Sequence, residues 1–329
     1  MSAPPQLNPV CPATAPHPPL CPAQQPALRQ VTGKVVGYNC APMRLLVTAD
    51  LHFNHRHSKP LARQSIAEMN AASGDVLLVI GDTAVADGDE LEQCLSLFHF
   101  SGPKLFVAGN HELWTNRDDS YVIHAEELPR RVRAMGWQWL ETNPFVTDRV
   151  TIVGSIGWYD YSFARDTLGI PRRFYQRKVS PGAAERFSEF APLFTPSDDI
   201  PPASRDVVAR WNDGKFVKLH RPDEIFLDEL LASMETQLAA AAGAPRVIAA
   251  VHHIPFEELL PPTRGAQWDF ARAYLGSPRI GHLLARFPNV SHVLCGHSHF
   301  PAETQLGPIH GINIGSSYRY KTFRTLEIH

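Results

Sequence analysis

No stretch of the 329-residue chain approaches the roughly 20 consecutive apolar residues that span a bilayer, so we expect no membrane helix. An excess of charge of one sign is also lacking, because 31 Lys and Arg stand against 33 Asp and Glu, for a net charge of −2. This balance gives no electrostatic reason to expect a membrane or nucleic-acid partner. A nucleic-acid partner is therefore not favoured.

Cysteine is scarce as well. The five cysteines are odd in number and scattered, and they form no CxxC pair. This pattern indicates neither a disulfide framework nor a cysteine-ligated zinc site, and it fits a reducing compartment. The N-terminus lacks the basic start and apolar run of a secretory signal. We therefore expect a cytoplasmic protein.

The N-terminal residues are dense in proline. Proline removes a backbone donor and breaks helices, so we predict that residues 1–40 form a disordered or loosely draped tail. A proline-rich ligand for a partner protein is the alternative reading. From Met43 the pattern changes sharply, and residues 41–329 are predicted to form one domain.

Short apolar runs alternate with helix-like segments from Met43 onward. The first three runs are RLLVTAD (44–50), DVLLVIGD (75–82) and KLFVAGNHE (104–112), and similar runs end near 255 and 300. Such runs are typical of strands that are buried on both faces. Helices are predicted over Leu61–Ala72, Glu90–Phe100, Ser120–Met135 and 222–243. The alternation predicts βαβ units, which place ligands at the carboxyl ends of their strands.

Polar clusters follow five of these runs. They are Asp50-Leu51-His52, Gly81-Asp82, Gly109-Asn110-His111-Glu112, His252-His253-Ile254-Pro255 and Gly296-His297-Ser298-His299. Carboxylate, imidazole and amide oxygen are the ligands that borderline divalent metals prefer over soft thiolates. Each cluster alone also suits an ordinary turn, a cap or a core histidine. Their occurrence together, each after a strand-like run, predicts a metal site.

With these motifs the chain resembles the calcineurin-like metallophosphoesterase superfamily, whose pattern is D-x-H, G-D, G-N-H-[DE], H-x-P and G-H-x-H. The resemblance extends from Asp50 to His299. It implies an α/β fold, a four-layer α/β/β/α sandwich of two mixed β-sheets. It also implies a phosphoesterase that hydrolyses phosphomonoesters or phosphodiesters through attack of a metal-bridging hydroxide on phosphorus. A nuclease of the same superfamily and a non-catalytic interaction module on this fold are the alternatives.

The resemblance implies roles for single residues. The implied metal ligands are Asp50, His52 and His299 for one ion, Asn110, His253 and His297 for the other, and Asp82 as the bridge. His253 is preferred to His252 because it fits H-x-P, which leaves His252 a supporting or packing role. Two metal ions are expected, and a mixed nitrogen and oxygen site suits Mn, Fe, Zn or Ni.

His111 is the implied catalytic residue, which would stabilise charge on the phosphoryl oxygens or donate a proton to the leaving group. Asn110 would contact the substrate together with His111. Many relatives carry an aspartate three positions after the bridging one, which pairs with this histidine, but Val85 stands there in this chain. Either Asp87 or Asp89 orients His111 instead, or the pairing is absent.

Residues 158–222 mix aromatic, arginine and proline residues without a clean period, and we predict an ordered, substrate-facing insertion. Trp158 and Tyr159 directly follow a predicted strand, so they are expected to contact a small phosphorylated substrate at the rim of the site. The segment RRFYQRK (172–178) could contact a phosphate and stack a base, or form an ordinary solvated rim.

Overall fold

The structure, a computed structural model, describes residues 42–117 and 119–329. The predicted tail at 1–40 lies outside the described residues and stays a prediction. The strands are β1 Met43–Ala49, β2 Val76–Ile80, β3 Lys104–Val107, β4 Gln138–Trp139, β5 Phe145–Val146, β6 Thr151–Ser155, β7 Val247–Val251, β8 Val290–Cys295, β9 Ala302–Leu306, β10 Ile309–Asn313 and β11 Phe323–Ile328.

Helices fill five of the ten connections between these strands. The α-helices are α1 Ser58–Ala71, α2 Glu90–Leu95, α3 Ser120–Val122, α4 Leu128–Ala134, α5 Arg172–Gln176, α6 Pro181–Ala184, α7 Asp213–Phe216, α8 Asp223–Ala240, α9 Ala266–Ala271 and α10 Pro278–Ala285. A π-helical stretch, Ile123–Glu127, joins α3 to α4. The 3-10 helices are Asn110–Leu113, Asp166–Leu168, Ser188–Phe194, Pro202–Asp206, Glu257–Leu259 and Arg272–Tyr274.

Helix α2 is shorter than the predicted Glu90–Phe100. The side chain of Asn70 donates to the carbonyl of Leu97 at 2.8 Å and accepts from the backbone N–H of His99 at 2.9 Å. These backbone groups are thus held by a side chain instead of by a continuing helix. Helix α8 matches its prediction closely, because Phe226, Leu230 and Met234 recur on one buried face.

The strands form two mixed sheets. The first has the order β11-β1-β2-β3-β4, in which only β11 is antiparallel to its neighbour. The second has the order β5-β6-β7-β8-β10-β9, with parallel pairs at its centre and antiparallel strands at both edges. Parallel central strands require crossovers, and these connections carry the helices.

The core has two parts, because alternate side chains of each central strand point to opposite faces of the sheet. In β1, Leu45, Val47 and Ala49 pack with residues of the second sheet such as Ile248 and Leu294. Leu46 points the other way, toward a cluster that contains buried residues of α1. Because one face of the central strands meets the opposite sheet and the other meets helices, the predicted four-layer sandwich of two mixed sheets is confirmed.

Within the described ranges, no helix combines the length and the apolar character that crossing a bilayer requires.

Candidate functional site

The metal-ligand motifs lie at the carboxyl ends of parallel strands, as their sequence positions predict. Asp50 follows β1, Asp82 follows β2 and Asn110 follows β3, while the histidine pair follows β7 and His297 follows β8. The backbone N–H of Asp50 donates to the carbonyl of Gly81 at 3.0 Å, which ties the first two of these turns together. The two sheets therefore deliver their polar ends to one place.

Five residues of these motifs have a left-handed backbone. They are Asp50 (φ 55°), His52 (φ 43°), Asp82 (φ 52°), His297 (φ 70°) and His299 (φ 55°). Non-glycine residues rarely adopt this conformation, and each instance stores strain that the surrounding structure must hold. Such strain concentrates at functional sites, where it aims side chains into a cavity.

Glycine is required where these turns meet. Gly109 precedes Asn110, and a Cβ atom there would lie 2.3 Å from Oδ1 of Asp82 and 2.5 Å from the backbone nitrogen of Asp82. Gly81 combines a φ of +68° with a clash of 2.4 Å against Nδ1 of His252. Only glycine allows the backbone to approach the cluster this closely.

A first group of potential metal ligands contains Asp50, His52, Asp82 and His299, whose ligand atoms all lie within 4.8 Å of one another. The two imidazole Nε2 atoms of His52 and His299 are 2.9 Å apart. Nε2 of His52 lies 3.9 Å from Oδ2 of Asp82. These side chains point at a common centre, as ligands of one ion would.

A second group contains Asp82, His252 and His297. Nε2 of His252 lies 3.3 Å from Oδ1 of Asp82 and 3.2 Å from Nδ1 of His297. Asp82 therefore belongs to both groups, with Oδ2 toward the first and Oδ1 toward the second. A carboxylate shared in this way suits the bridging position between two cations.

Asn110 lines the same cavity as Asp82 and His297 and has one free oxygen. Its Nδ2 donates to Oδ1 of Asp213 at 2.8 Å, and its buried Oδ1 has no hydrogen-bond partner. A buried acceptor without a partner is costly, so this oxygen is available to a cation. The predicted set Asp50, His52, Asp82, Asn110, His297 and His299 is thus brought together.

Both residues of the histidine pair lie beside the cluster. The Nε2 atom of His252, the residue that was assigned a packing role, lies inside the second group. His253 is buried beside Trp158 with its Nδ1 3.0 Å from the carbonyl of Ile156, and it belongs to neither group. Both imidazole rings lie beside His297, with centroids 5.0 Å away for His252 and 4.3 Å away for His253, and the buried Nε2 of His253 has no hydrogen-bond partner. Only Nε2 of His252 lies close to the carboxylate of Asp82, at 3.3 Å.

Trp158 and Tyr159 do not reach a substrate surface, contrary to prediction. Both are fully buried (0% exposed), and their polar atoms are already used. Nε1 of Trp158 donates to Asp223 at 2.8 Å, and the hydroxyl of Tyr159 donates to Asp213 at 2.9 Å. Buried Trp and Tyr side chains need hydrogen-bond partners for their polar atoms. The aromatic pair therefore forms part of the buried structure that supports the site and not part of the cavity surface.

Asp213 supports the site through hydrogen bonds that no sequence motif predicts. It is fully buried in the segment 158–222 and accepts hydrogen bonds from four side chains, Asn110, Trp114, Tyr159 and Trp211, at 2.6–2.9 Å. No motif marks it, since Asn212-Asp213-Gly214 reads as an ordinary turn. The basic stretch 172–178 mainly serves structure, because Arg173 pairs with Asp199 and Lys178 with Asp223.

His111 lines the cavity beside the ligand cluster, and it does not pair with Asp87 or Asp89. Its ring stacks on Trp114 with centroids 3.6 Å apart, and its Nε2 lies 3.4 Å from the hydroxyl of Tyr318. Asp87 accepts instead from Thr115 and Arg117, and Asp89 accepts from Gln93. Neither candidate aspartate orients His111. In this chain the His111 ring is held by its stack on Trp114 and its contact with Tyr318.

Glu112 fixes the turns that carry the ligands. Its buried carboxylate accepts backbone N–H bonds from Asp82 at 2.9 Å and Gly109 at 2.7 Å, and also from Thr83 and Ala84. Burial raises the pKa of Glu112 to about 7, and the Asp82 charge adds to the rise. One side chain thereby couples the end of β2 to the end of β3.

The electrostatics of the cluster fit bound cations. Burial raises the pKa of Asp50 to about 8, so positive charge nearby is needed to keep this carboxylate ionised at neutral pH. Burial also lowers the pKa of His52 and of His297 well below the usual range. Neutral imidazoles and ionised carboxylates are the forms that bind metals, so the residues present fit two ions.

A cavity of about 260 Å³ opens onto the cluster. Asp82, Asn110, His111 and His297 form its floor, and its walls include Trp114, Trp211, Trp268 and Tyr318. Arg210 is the single Lys or Arg side chain among its lining residues. The polar floor and aromatic walls are typical of a small-molecule site.

The residues that match the model of the calcineurin-like phosphoesterase family are 43–301, which is most of the chain. The chain therefore belongs to the calcineurin-like phosphoesterase family. Members of this family depend on a dinuclear metal centre, and this chain is accordingly a metal-dependent phosphoric ester hydrolase. The metal ions supply Lewis acidity and an activated water when they are bound.

Among individual proteins, the chain is similar to the [acyl-carrier-protein] phosphodiesterase PptH of Mycobacterium tuberculosis. It is 34% identical over 128 residues, which are 36% of this chain and 38% of that relative. The crystal structure of phosphopantetheinyl hydrolase (PptH) from Mycobacterium tuberculosis superposes with a TM-score of 0.60 at 21% identity, covering 87% of this chain and 96% of that chain.

A dimetal phosphatase from Danio rerio has the same fold. It superposes with a TM-score of 0.52 at 12% identity, covering 88% of this chain and 94% of that chain. At these identities the superpositions support the fold alone, and the ligand cluster itself carries the argument about chemistry.

Proposed function

We propose that this enzyme hydrolyses a phosphodiester at a centre of two first-row metal ions, Mn, Fe, Zn or Ni. The observation that carries the proposal is the sharing of Asp82 between two groups of ligand atoms beneath one cavity. In this proposal Asp50, His52 and His299 hold one ion. Asn110, His252 and His297 hold the other, with His252 replacing His253 on the basis of its position.

The walls of the cavity favour a diester over a monoester. A monoester dianion carries a second negative charge that is best matched by cationic side chains, whereas the cavity lining has four aromatic side chains of Trp and Tyr and a single Lys or Arg, Arg210. Aromatic surface suits the two organic substituents of a diester. The relative with 34% identity is named an acyl-carrier-protein phosphodiesterase, so a phosphopantetheinyl group on a carrier protein is the first natural diester to test.

His111 would act on the leaving group in this reaction. Its ring is stacked on Trp114 at the cavity floor, and its Nε2 lies 3.8 Å from Oδ2 of Asp82. This location suits a residue that stabilises charge on the phosphoryl oxygens or donates a proton to the departing oxygen. Tyr318 lies within reach of the same nitrogen and can hold the ring in that role.

Comparing p-nitrophenyl phosphate with bis(p-nitrophenyl) phosphate in the presence of Mn²⁺ tests the proposal. We expect kcat/KM to be at least about tenfold higher for the diester, and to fall sharply in Asp82→Ala. Asp89→Ala, which changes an exposed aspartate outside the cluster, serves as the matched control and should retain activity. A preference for the monoester would overturn the diester assignment.

Further assays on the same enzyme preparation distinguish the two alternatives, a nuclease and a non-catalytic module. A nuclease would cleave a single-stranded oligonucleotide with a steep dependence on salt. A non-catalytic module would hydrolyse neither ester with any of the four metals. The convergence of three of the five strand-end motifs on one cavity, through Asp82, Asn110, His111, His297 and His299, supports the enzyme.

A further inference from the structure

A second cavity, of about 500 Å³, adjoins the cavity of the metal centre. The two share the residues Arg210, Trp211 and Asn212, which therefore form a common wall. Neither the metal ligands nor His111 line the second cavity. It is a separate concave space that a substrate extending past Trp211 would enter.

The common wall is fixed in place. The indole of Trp211 stacks on Tyr274 with centroids 5.3 Å apart and an interplanar angle of 9°. Its Nε1 donates to Oδ2 of Asp213 at 2.8 Å, and Asp213 also holds Asn110. The same carboxylate thus positions a residue of the metal centre and the boundary of the second cavity, so the two spaces keep a constant relation.

Positive charge dominates the second cavity. Its lining contains Arg177, Lys178, Arg210 and Lys215, and the single acidic residue in that lining is Glu189. Lys178 is neutralised by Asp223, with 2.5 Å between Nζ and Oδ2. Arg210 lies 3.7 Å from Glu189, a loose pair in which both side chains are largely exposed.

Arg177 and Lys215 carry the unbalanced charge. Both are exposed, and neither forms an ion pair with a carboxylate in the part of the chain that the structure describes. Cations that converge in a concave space focus the local potential and attract an anion more strongly than isolated surface charges. Arginine adds a planar fork that matches carboxylate and phosphate oxygens.

We infer that this second cavity binds an anionic group, a phosphate or a carboxylate, on the same substrate whose ester bond lies at the metal centre. Arg177, Arg210 and Lys215 are the proposed ligands. The concave shape and the volume suit a small charged group better than the flat surface of a protein partner. The inference rests on the proposed diester hydrolysis and adds to it the class of substrate, a diester with a remote negative charge.

Two chromogenic diesters that differ by one phosphate test this inference. They are thymidine 5′-(p-nitrophenyl phosphate) and the same compound with an added 3′-phosphate. We expect the added phosphate to lower KM about tenfold in the wild-type enzyme, as a set of charge-assisted hydrogen bonds would. The double variant Arg177→Ala/Lys215→Ala should bring the ratio of the two KM values close to one. Arg130→Ala, an exposed arginine on α4, should leave the ratio unchanged.

A binding measurement separates failure of this inference from failure of the diesterase proposal. Calorimetric titration of metal-depleted protein with inorganic phosphate requires no hydrolysis, and the double variant should bind about tenfold more weakly than wild type. Equal binding together with an unchanged KM ratio would exclude the anion site, even if both diesters are hydrolysed. If the double variant loses activity toward a carrier-protein substrate but keeps the wild-type KM ratio for the two small diesters, the small-anion assignment is overturned in favour of protein docking.

Discussion

Asp213 accepts a hydrogen bond from Asn110, with 2.8 Å between Oδ1 and Nδ2, although the two residues are 103 positions apart in the chain. The bond uses the amide nitrogen of Asn110 and leaves its Oδ1 free for the metal centre. Outer partners of this kind orient metal ligands and influence affinity for the metal. Asp213 therefore links the segment 158–222 to the proposed metal centre through Asn110.

Replacing Asp213 with Asn should weaken metal binding. An amide can accept fewer of the four hydrogen bonds, so Asn110 loses its orientation and we expect about 10–100-fold lower affinity for one of two ions. Metal titration followed by calorimetry measures this. Asp223→Asn is the matched control, because Asp223 also accepts from a buried Trp and Tyr but contacts none of the proposed ligands. Equal metal affinity in both variants would contradict the assigned role.

The two adjacent histidines should respond differently to substitution. His252→Gln removes the imidazole that lies 3.3 Å from Asp82, so we expect the metal content to fall from two ions to about one. His253→Gln should retain both ions, because neither ring nitrogen of His253 belongs to a group of ligand atoms that lie within 4.8 Å of one another. Elemental analysis after dialysis distinguishes the two outcomes. The reverse pattern would restore the assignment made from the H-x-P motif.

Tyr318→Phe should reduce turnover and leave substrate affinity nearly unchanged. The substitution removes the hydroxyl 3.4 Å from Nε2 of His111 but keeps the ring, which stacks on His52 with centroids 4.2 Å apart. We expect kcat for the diester to fall about tenfold, within the range of general acid–base contributions. Tyr320→Phe provides the control, since that hydroxyl donates to the carbonyl of His299 and not to His111. An unchanged kcat in Tyr318→Phe would show that the hydroxyl does not assist His111.

A pH effect on stability is expected far from the metal centre. His292 of β8 faces His310 of β10, and burial, with the His310 charge adding to it, lowers the pKa of His292 to about 4. The unfolded chain binds this proton near pH 6.5, so the free energy of unfolding should decrease as the pH falls from about 6.5 through 4. His292→Gln should show a smaller decrease in urea titrations between pH 7 and 4.5. His99→Gln, at an exposed histidine, should behave like the wild type.

The sequence by itself determined the fold class and the five motifs. An apolar run that ends in a polar, glycine-containing turn is a local pattern, and it marks the carboxyl end of a buried strand wherever the strand later pairs. The positions of Asp50, Asp82 and His297 at strand ends could therefore be predicted before any contact was known, and the family resemblance implied their roles as ligands. The edge strand β9 was missed, because its residues AETQL lack the apolar run that marks the buried strands.

Only the tertiary structure decided which side chains gather into the ligand cluster and what supports them. His252 and His253 are equivalent in composition, and the choice depends on which imidazole lies close to the carboxylate of Asp82. Trp158 and Tyr159 were expected at a rim, but the segment that follows them folds back and buries both. Asp213 owes its role to four partners distributed along the chain, and such long-range contacts leave no periodic or local pattern to read.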